Sequence, residues 1–226
     1  MNSSLELVVF DCDGVLVDSE PIASGAVAAA LKRFGLHVTQ LEIMSRYTGI
    51  SAPAMYADIE KRHALTLTPE QQQEVSVSVQ EALATSVLPM PDIDLALLKI
   101  ASRFKVCVAS SSSPERIAAS LSRAGLSQFF GTNIFSASQV AHGKPAPDIF
   151  LFAANAMGVE SAKCCVVEDS TAGVEAAIAA RMRVMGFVGG GHGTAALADA
   201  LRGRGANPVF RDMRNLPELL SSLKPI

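Results

Sequence analysis

The chain has 226 residues, about half of them hydrophobic, no Trp, and a formal net charge of -3. That length fits a main domain with a modest insertion, and neither the charge nor any local cluster of Lys and Arg offers the basic field that a nucleic-acid backbone needs. No apolar run approaches the roughly 20 residues of a membrane span, and Met1 to Glu6 lacks the charged start of a signal peptide, so a cytoplasmic protein is expected. Its four cysteines, Cys12, Cys107, Cys164 and Cys165, show no metal-ligand spacing or disulfide framework and read as reduced structural thiols.

Along the chain, Leu5 to Phe10 is a short apolar run that stops at Asp11, which predicts a buried strand. The stretch from Ser19 to about Pro89 is helix-like throughout: Ile22 to Phe34 ends at Gly35, and Pro69 to Val87 follows without a convincing strand between them. Beyond it, strands are predicted at Val106 to Ala109, Ile134 to Phe135, Cys164 to Val167, Val184 to Val188 and Val209 to Phe210. Helices are predicted between and after them, at Pro114 to Gly125, Asp148 to Gly158, Thr171 to Met182 and Leu216 to Leu223; Ser113 before Pro114 is a cap followed by a first-turn proline. This alternation predicts an α/β fold, a Rossmann-like parallel sheet with helices on both faces and ligands at the carboxyl ends of the strands. The helical insertion is assigned to 18–89, against a core of 1–17 and 90–226. Both its ends return near Asp11 and Pro91, which sets it over the carboxyl edge of the sheet.

Four segments carry chemistry. In Asp11-Cys12-Asp13-Gly14, two carboxylates one residue apart leave the end of a buried strand; a plain Asp-Gly turn is the alternative reading. A calcium loop is rejected, because it needs its glycine two positions later and more oxygen ligands where Val15 and Leu16 stand. Glu168 and Asp169 end the strand Cys164 to Val167, and strand ends of a parallel sheet gather along one edge, so these acids meet Asp11 and Asp13 there. At an effective dielectric of about 20, carboxylates about 4 Å apart repel by roughly 4 kcal/mol, which calls for a cation. Hard oxygen donors suit magnesium, and no Cys or His set is offered for zinc. The alternative is a helix cap at Asp169 or Ser170. Ser110, the first polar residue after Val106 to Ala109, is placed for a phosphate. Lys144 sits between Gly143 and Pro145 in a proline-fixed loop, where a solvated helix face does not explain it.

Taken together in this order, the four segments resemble the haloacid dehalogenase superfamily, in its subgroup of sugar-phosphate phosphatases and β-phosphoglucomutase. The resemblance covers the whole chain, the insertion matching that family's helical cap domain. It implies Asp11 as nucleophile, Asp13 as general acid and base, and Ser110 and Lys144 as phosphate-binding groups. Magnesium would be held by Asp11, the backbone carbonyl of Asp13 and Asp169, with Glu168 in or near that shell. It further implies hydrolysis of small phosphate esters such as sugar phosphates or phosphorylated sugar acids. The loop Arg46-Tyr47-Thr48-Gly49-Ile50-Ser51 resembles the family's specificity loop, with Arg46 or Tyr47 against the substrate.

Two other functions compete with the phosphatase. A phosphomutase on the same fold carries a histidine and an arginine at positions that correspond here to Ala23 and Ala52, which favours hydrolysis. A non-catalytic phosphate-binding protein is disfavoured because every expected acid and base is present, and a dehalogenase because it lacks the second acid that Asp13 supplies. The glycine-rich loop Gly189 to Thr194 reads as an ordinary connection before it reads as a rim of the site. Arg181 stands where the family often ends a helix with glycine, and in a left-handed conformation it would be strained by about 1 kcal/mol.

Overall fold

The computed structural model describes residues 5–47, 52–191 and 193–223. In chain order these form β1 (Leu7–Phe10), α1 (Glu20–Arg33), α2 (Gln40–Tyr47), α3 (Ala52–His63), α4 (Pro69–Ser86), α5 (Ile93–Ala101), β2 (Lys105–Ser110), α6 (Pro114–Arg123), α7 (Ser127–Phe130) and β3 (Ile134–Ser136). There follow α8 (Asp148–Ala156), β4 (Cys164–Glu168), α9 (Thr171–Ala179), β5 (Arg183–Phe187), α10 (Ala195–Gly203), β6 (Val209–Phe210) and α11 (Leu216–Ser221). The strands lie parallel in the order β3-β2-β1-β4-β5-β6. The chain therefore starts in the middle of the sheet and winds outward in both directions, and the reversal of order at β1 is where such sheets open a crevice.

Every residue of β1 and β4 is buried, as a strand covered on both faces requires. Side chains alternate. Leu7 and Val9 join Cys107, Cys164, Val166, Phe150 and Val174 in one cluster, beneath α8 and α9. Phe10 turns to the opposite face and meets Phe130 edge-on, with ring centroids 6.1 Å apart. Burying each such Val, Leu or Phe contributes about 1.5–3 kcal/mol, so the two sheet faces anchor β1 from both sides.

The chain divides into two compact units, Met1–Asp18 with Leu88–Ile226, and Ser19–Val87. The second is helical, with its own core of Val27, Leu31, Ile43, Tyr47, Tyr56, Ile59, Leu67 and Val75. Its α4 starts at a full capping box: Thr68 accepts from the Gln71 amide, and the Gln71 side chain accepts from the Thr68 amide. Helices α2 and α3 fall in the stretch read as helix-like but had no bounds of their own in the sequence, and α5, α7 and α10 are additions; α10 opens on a cap, Thr194 Oγ1 accepting from the Leu197 amide at 3.1 Å.

Two backbone features bear on stability. Arg181 does adopt the left-handed conformation, with φ 59°. It follows α9 in the position where glycine closes a helix, with the Met182 amide reaching back to the Ala177 carbonyl at 3.0 Å. The glycines of the loop after β5 are packed rather than free: a Cβ on Gly193 would overlap the Val188 carbonyl, and the Gly191 amide donates to Asp18 Oδ1 at 3.2 Å. That loop leads into α10 and is fastened to the tail of the Asp11 segment.

Candidate active site

The register of the sheet brings the acids together. Phe10 pairs with Val108 on one side and Val167 on the other, so Asp11, Ser110 and Glu168 all emerge at the same carboxyl edge. The Asp11 amide still donates to the Val167 carbonyl at 3.0 Å. Beyond it the chain turns sharply through Gly14, at φ 82°, with its amide on the Val17 carbonyl at 2.8 Å. A side chain at Gly14 would be strained in that conformation, and the turn is what swings Asp13 back toward the strand ends.

Lys144 lies at the centre. Its ammonium donates to Asp11 Oδ1 at 2.6 Å and to Glu168 Oε1, lies 5.0 Å above the Phe150 ring, and its side chain is only 4% exposed. Burial by itself would lower the lysine's pKa, but the charges of Asp11 and Glu168 and their hydrogen bonds outweigh it, and the ammonium is held above its ordinary range. At Asp11 burial pushes the carboxyl well up, Lys144 pulls it down, and Glu168 and Asp169 push it up again. One lysine is too little positive charge for this cluster.

Glu168, expected in or near the magnesium shell, is held from inside the fold. Its carboxylate is completely enclosed: Oε1 faces Lys144, and Oε2 accepts from the Asp169 amide, the Ser170 amide and the Ser170 hydroxyl at 2.9–3.0 Å. An anion at the N-terminus of α9 satisfies that helix's free donors. Gly173 makes the arrangement sterically possible. A Cβ there would overlap the Glu168 carboxylate, far inside 3.0 Å, and the Gly173 amide also donates to the capping Ser170 hydroxyl.

Asp13 is held from the side of α6. Its Oδ2 accepts from the Ser112 hydroxyl at 2.7 Å and its Oδ1 from Arg116 Nη2 at 3.1 Å. Ser110 is buried at the end of β2, and its hydroxyl accepts from the Ser112 amide at 3.2 Å. Ser112 thus touches the second acid, while Ser113 is the cap, accepting from the Arg116 amide. Arg116 was missed, although a signal existed: a cation in the first turn opposes the helix dipole and asks for an anion nearby.

In the helical unit, Arg46 and Tyr47 are the last residues of α2 and residues 48–51 lie outside the described residues. Arg46 is exposed and lies 3.7 Å from Glu42. Tyr47 is buried; its hydroxyl donates to Asp58 at 2.8 Å and accepts from Arg62 at 3.1 Å. Its ring lies in the core of the helical unit and its hydroxyl is engaged by Asp58 and Arg62.

Among the described residues no three acidic, His or Cys side chains converge closely enough to hold a metal ion by themselves. The donors nonetheless fit magnesium. Among the described residues Asp11 keeps Oδ2 free of protein donors, Asp169 is partly exposed beside it in the electrostatics, and an ion that takes one or two carboxylates and fills its octahedron with water and phosphate oxygens needs no more. All four cysteines are unpaired and buried, and burial pushes the Cys164 and Cys165 thiols up to about 12, which leaves them inert.

Comparison with known proteins agrees with this geometry. The family model of haloacid dehalogenase-like hydrolases matches residues 5–181. The 6-phosphogluconate phosphatase of Escherichia coli K12 is 30% identical over 217 residues, covering 96% of this chain and 95% of that one. A fructose-1-phosphate phosphatase of the same organism is 32% identical over 176 residues, 77% of this chain and 92% of its own. Among solved structures, a haloacid dehalogenase-like protein of unknown function from Agrobacterium tumefaciens superposes with a TM-score of 0.89 at 32% identity, over 97% of this chain and 99% of that one. A hydrolase from Deinococcus radiodurans with bound phosphate and sodium does so with 0.84 at 30%, over 99% and 100%. By sequence, sheet order and the acids at the strand ends, the chain belongs to the haloacid dehalogenase-like hydrolases, among relatives named for hydrolysing phosphoric monoesters.

Proposed function

We propose that this enzyme is a magnesium-dependent phosphatase that hydrolyses small phosphorylated metabolites, sugar phosphates or phosphorylated sugar acids, through a phospho-aspartate on Asp11. The observation that carries the reading is the state of Asp11: one oxygen is fixed by a lysine that buried Glu168 holds in place, and the other is open. A nucleophile so oriented meets phosphorus in line without reorganising.

One carboxylate oxygen of Asp11 attacks phosphorus while the bond to the ester oxygen breaks, and Asp13 gives that oxygen its proton. Water then attacks the phosphorylated Asp11, Asp13 takes a proton from it, and the acyl-phosphate bond breaks to release inorganic phosphate. Lys144 and Ser110 bind the phosphoryl oxygens, the lysine neutralising charge as it spreads over them. Magnesium would be held by Asp11, the Asp13 carbonyl and Asp169, and would supply the rest of the neutralisation. The helical unit, residues 19–87, serves as a cap, and Arg46 is its candidate for substrate contact. The buried, unpaired cysteines suit a reducing, cytoplasmic setting.

A phosphate-release screen over a metabolite panel with magnesium tests the reading. Activity should vanish on dialysis against a chelator and return with magnesium. Asp11→Asn should lose at least about 10⁴-fold in kcat with the fold intact, because an amide cannot form the acyl phosphate. Substantial turnover by that variant sinks Asp11 as nucleophile. A phosphomutase is the competing outcome: with β-glucose 1-phosphate and catalytic glucose 1,6-bisphosphate, glucose 6-phosphate would build up faster than phosphate. Ala23 and Ala52, whose side chains cannot hydrogen-bond, favour release.

A further inference from the structure

The two cations of this constellation are used differently. Lys144 is enclosed and its ammonium is divided between two carboxylates. Arg116 has a side chain 37% exposed and makes a single charged contact among the described residues, from Nη2 to Asp13 Oδ1. Its Nε is enclosed and has no partner among those residues. A guanidinium is a rigid fork of five N–H donors suited to binding two oxygens of one carboxylate at once. Asp13 does not use that fork, since its other oxygen is already taken by the Ser112 hydroxyl. Nor does helix stability explain the residue, which sits in the first turn of α6 at the end of the helix dipole that disfavours a cation.

We propose that Arg116 determines specificity by binding a carboxylate on the leaving alcohol, so that the preferred substrates are phosphate monoesters of sugar acids rather than of neutral sugars. The inference rests on the phosphatase reading, in which Asp13 hands its proton to the ester oxygen. That oxygen is then one hydrogen bond from Asp13, and Arg116 is one hydrogen bond from Asp13 on the other side, which puts them within about 6 Å of each other. An extended chain advances about 1.2 Å per bond, so an alcohol of three to six carbons bridges the gap. With Asp13 protonated to donate to the ester oxygen, the charge of Arg116 is left for a carboxylate on the substrate.

The test compares gluconate 6-phosphate with glucitol 6-phosphate, which differ only in COO⁻ against CH₂OH at the far end. The wild-type enzyme should favour the acid by at least about tenfold in kcat/KM, and Arg116→Gln should lower kcat/KM for the acid by about 10–100-fold, mostly through KM, a range expected for hydrogen bonds to a charged group. The hexitol ester should lose only what Arg116 contributes by holding Asp13, so the acid-to-hexitol ratio of kcat/KM should fall at least about tenfold. Arg116→Lys keeps the charge without the fork and should retain part of the preference. Ser112→Ala loosens the same Asp13 while sparing the arginine, and should slow both substrates alike. Equal losses on both esters with Arg116→Gln, or a wild-type enzyme that hydrolyses neutral esters and ignores the acid, overturns the proposal and leaves the phosphatase reading standing. Failure of the wild-type enzyme on every ester, p-nitrophenyl phosphate included, defeats both.

Discussion

The strand-edge cluster and the helical unit both use ion pairs, and the contrast between them shows what burial does to the same chemistry. Lys144, Asp11 and Glu168 are all but removed from water; Lys144 is held by both acids, Asp11 by Lys144, and Glu168 by Lys144 and the Asp169 and Ser170 amides. In the helical unit, Arg33 meets Glu74 at 2.8 Å with both side chains about half exposed, at 48% and 50%. Water screens that pair, and its two long side chains lose rotamer freedom to make it. The buried cluster has no such screening, so the loss of one member leaves a bare charge behind.

The largest effect should come from Lys144→Met. Besides abolishing phosphate release, it leaves Asp11 and Glu168 unpaired, and we expect a loss of about 3–5 kcal/mol in denaturant unfolding. A variant as stable as the wild type would mean that the acids take up protons or water at little cost, and would erase the contrast.

Gly173→Ala probes the same cluster through space. The new methyl must displace the Glu168 carboxylate, which unseats Lys144 without removing any charge, and a shift of about 1 Å there should lower kcat roughly 100-fold. Glu168→Asp in the same chain draws the carboxylate back by one methylene and should restore at least part of the rate. If the pair is no better than Gly173→Ala alone, the glycine serves the helix and not the glutamate.

Smaller still is Arg181→Gly, which should stabilise the protein by up to about 1 kcal/mol, since glycine adopts φ 59° without a Cβ penalty. Its kcat should equal that of the wild type. Smallest is the exposed pair: a double-mutant cycle on Arg33 and Glu74 should give a coupling within about 1 kcal/mol that fades in high salt. A coupling of several kcal/mol would show that exposure is a poor guide to ion-pair strength in this protein.

The sequence alone determined the class of fold and most of the site. Apolar runs ending at Asp11, Ser110 and Glu168 set the strands and their polar ends, because a strand buried on both faces has to be apolar until it leaves the sheet. Asp11, Asp13 and Asp169 were picked out for that reason, and Lys144 for the proline-fixed loop that carries it. What only the tertiary structure decided is which way each charge turns. Glu168 faces inward onto Lys144 and the start of α9, Tyr47 spends its hydroxyl inside the helical core, and Ser112 and Arg116 reach Asp13 from the loop before α6 and its first turn, about 100 positions away in the chain. Spacing along a chain fixes which strand end a residue occupies. The partner its side chain finds depends on elements that meet only after folding, and on vacancies such as the one above Gly173 that have no side chain to announce them.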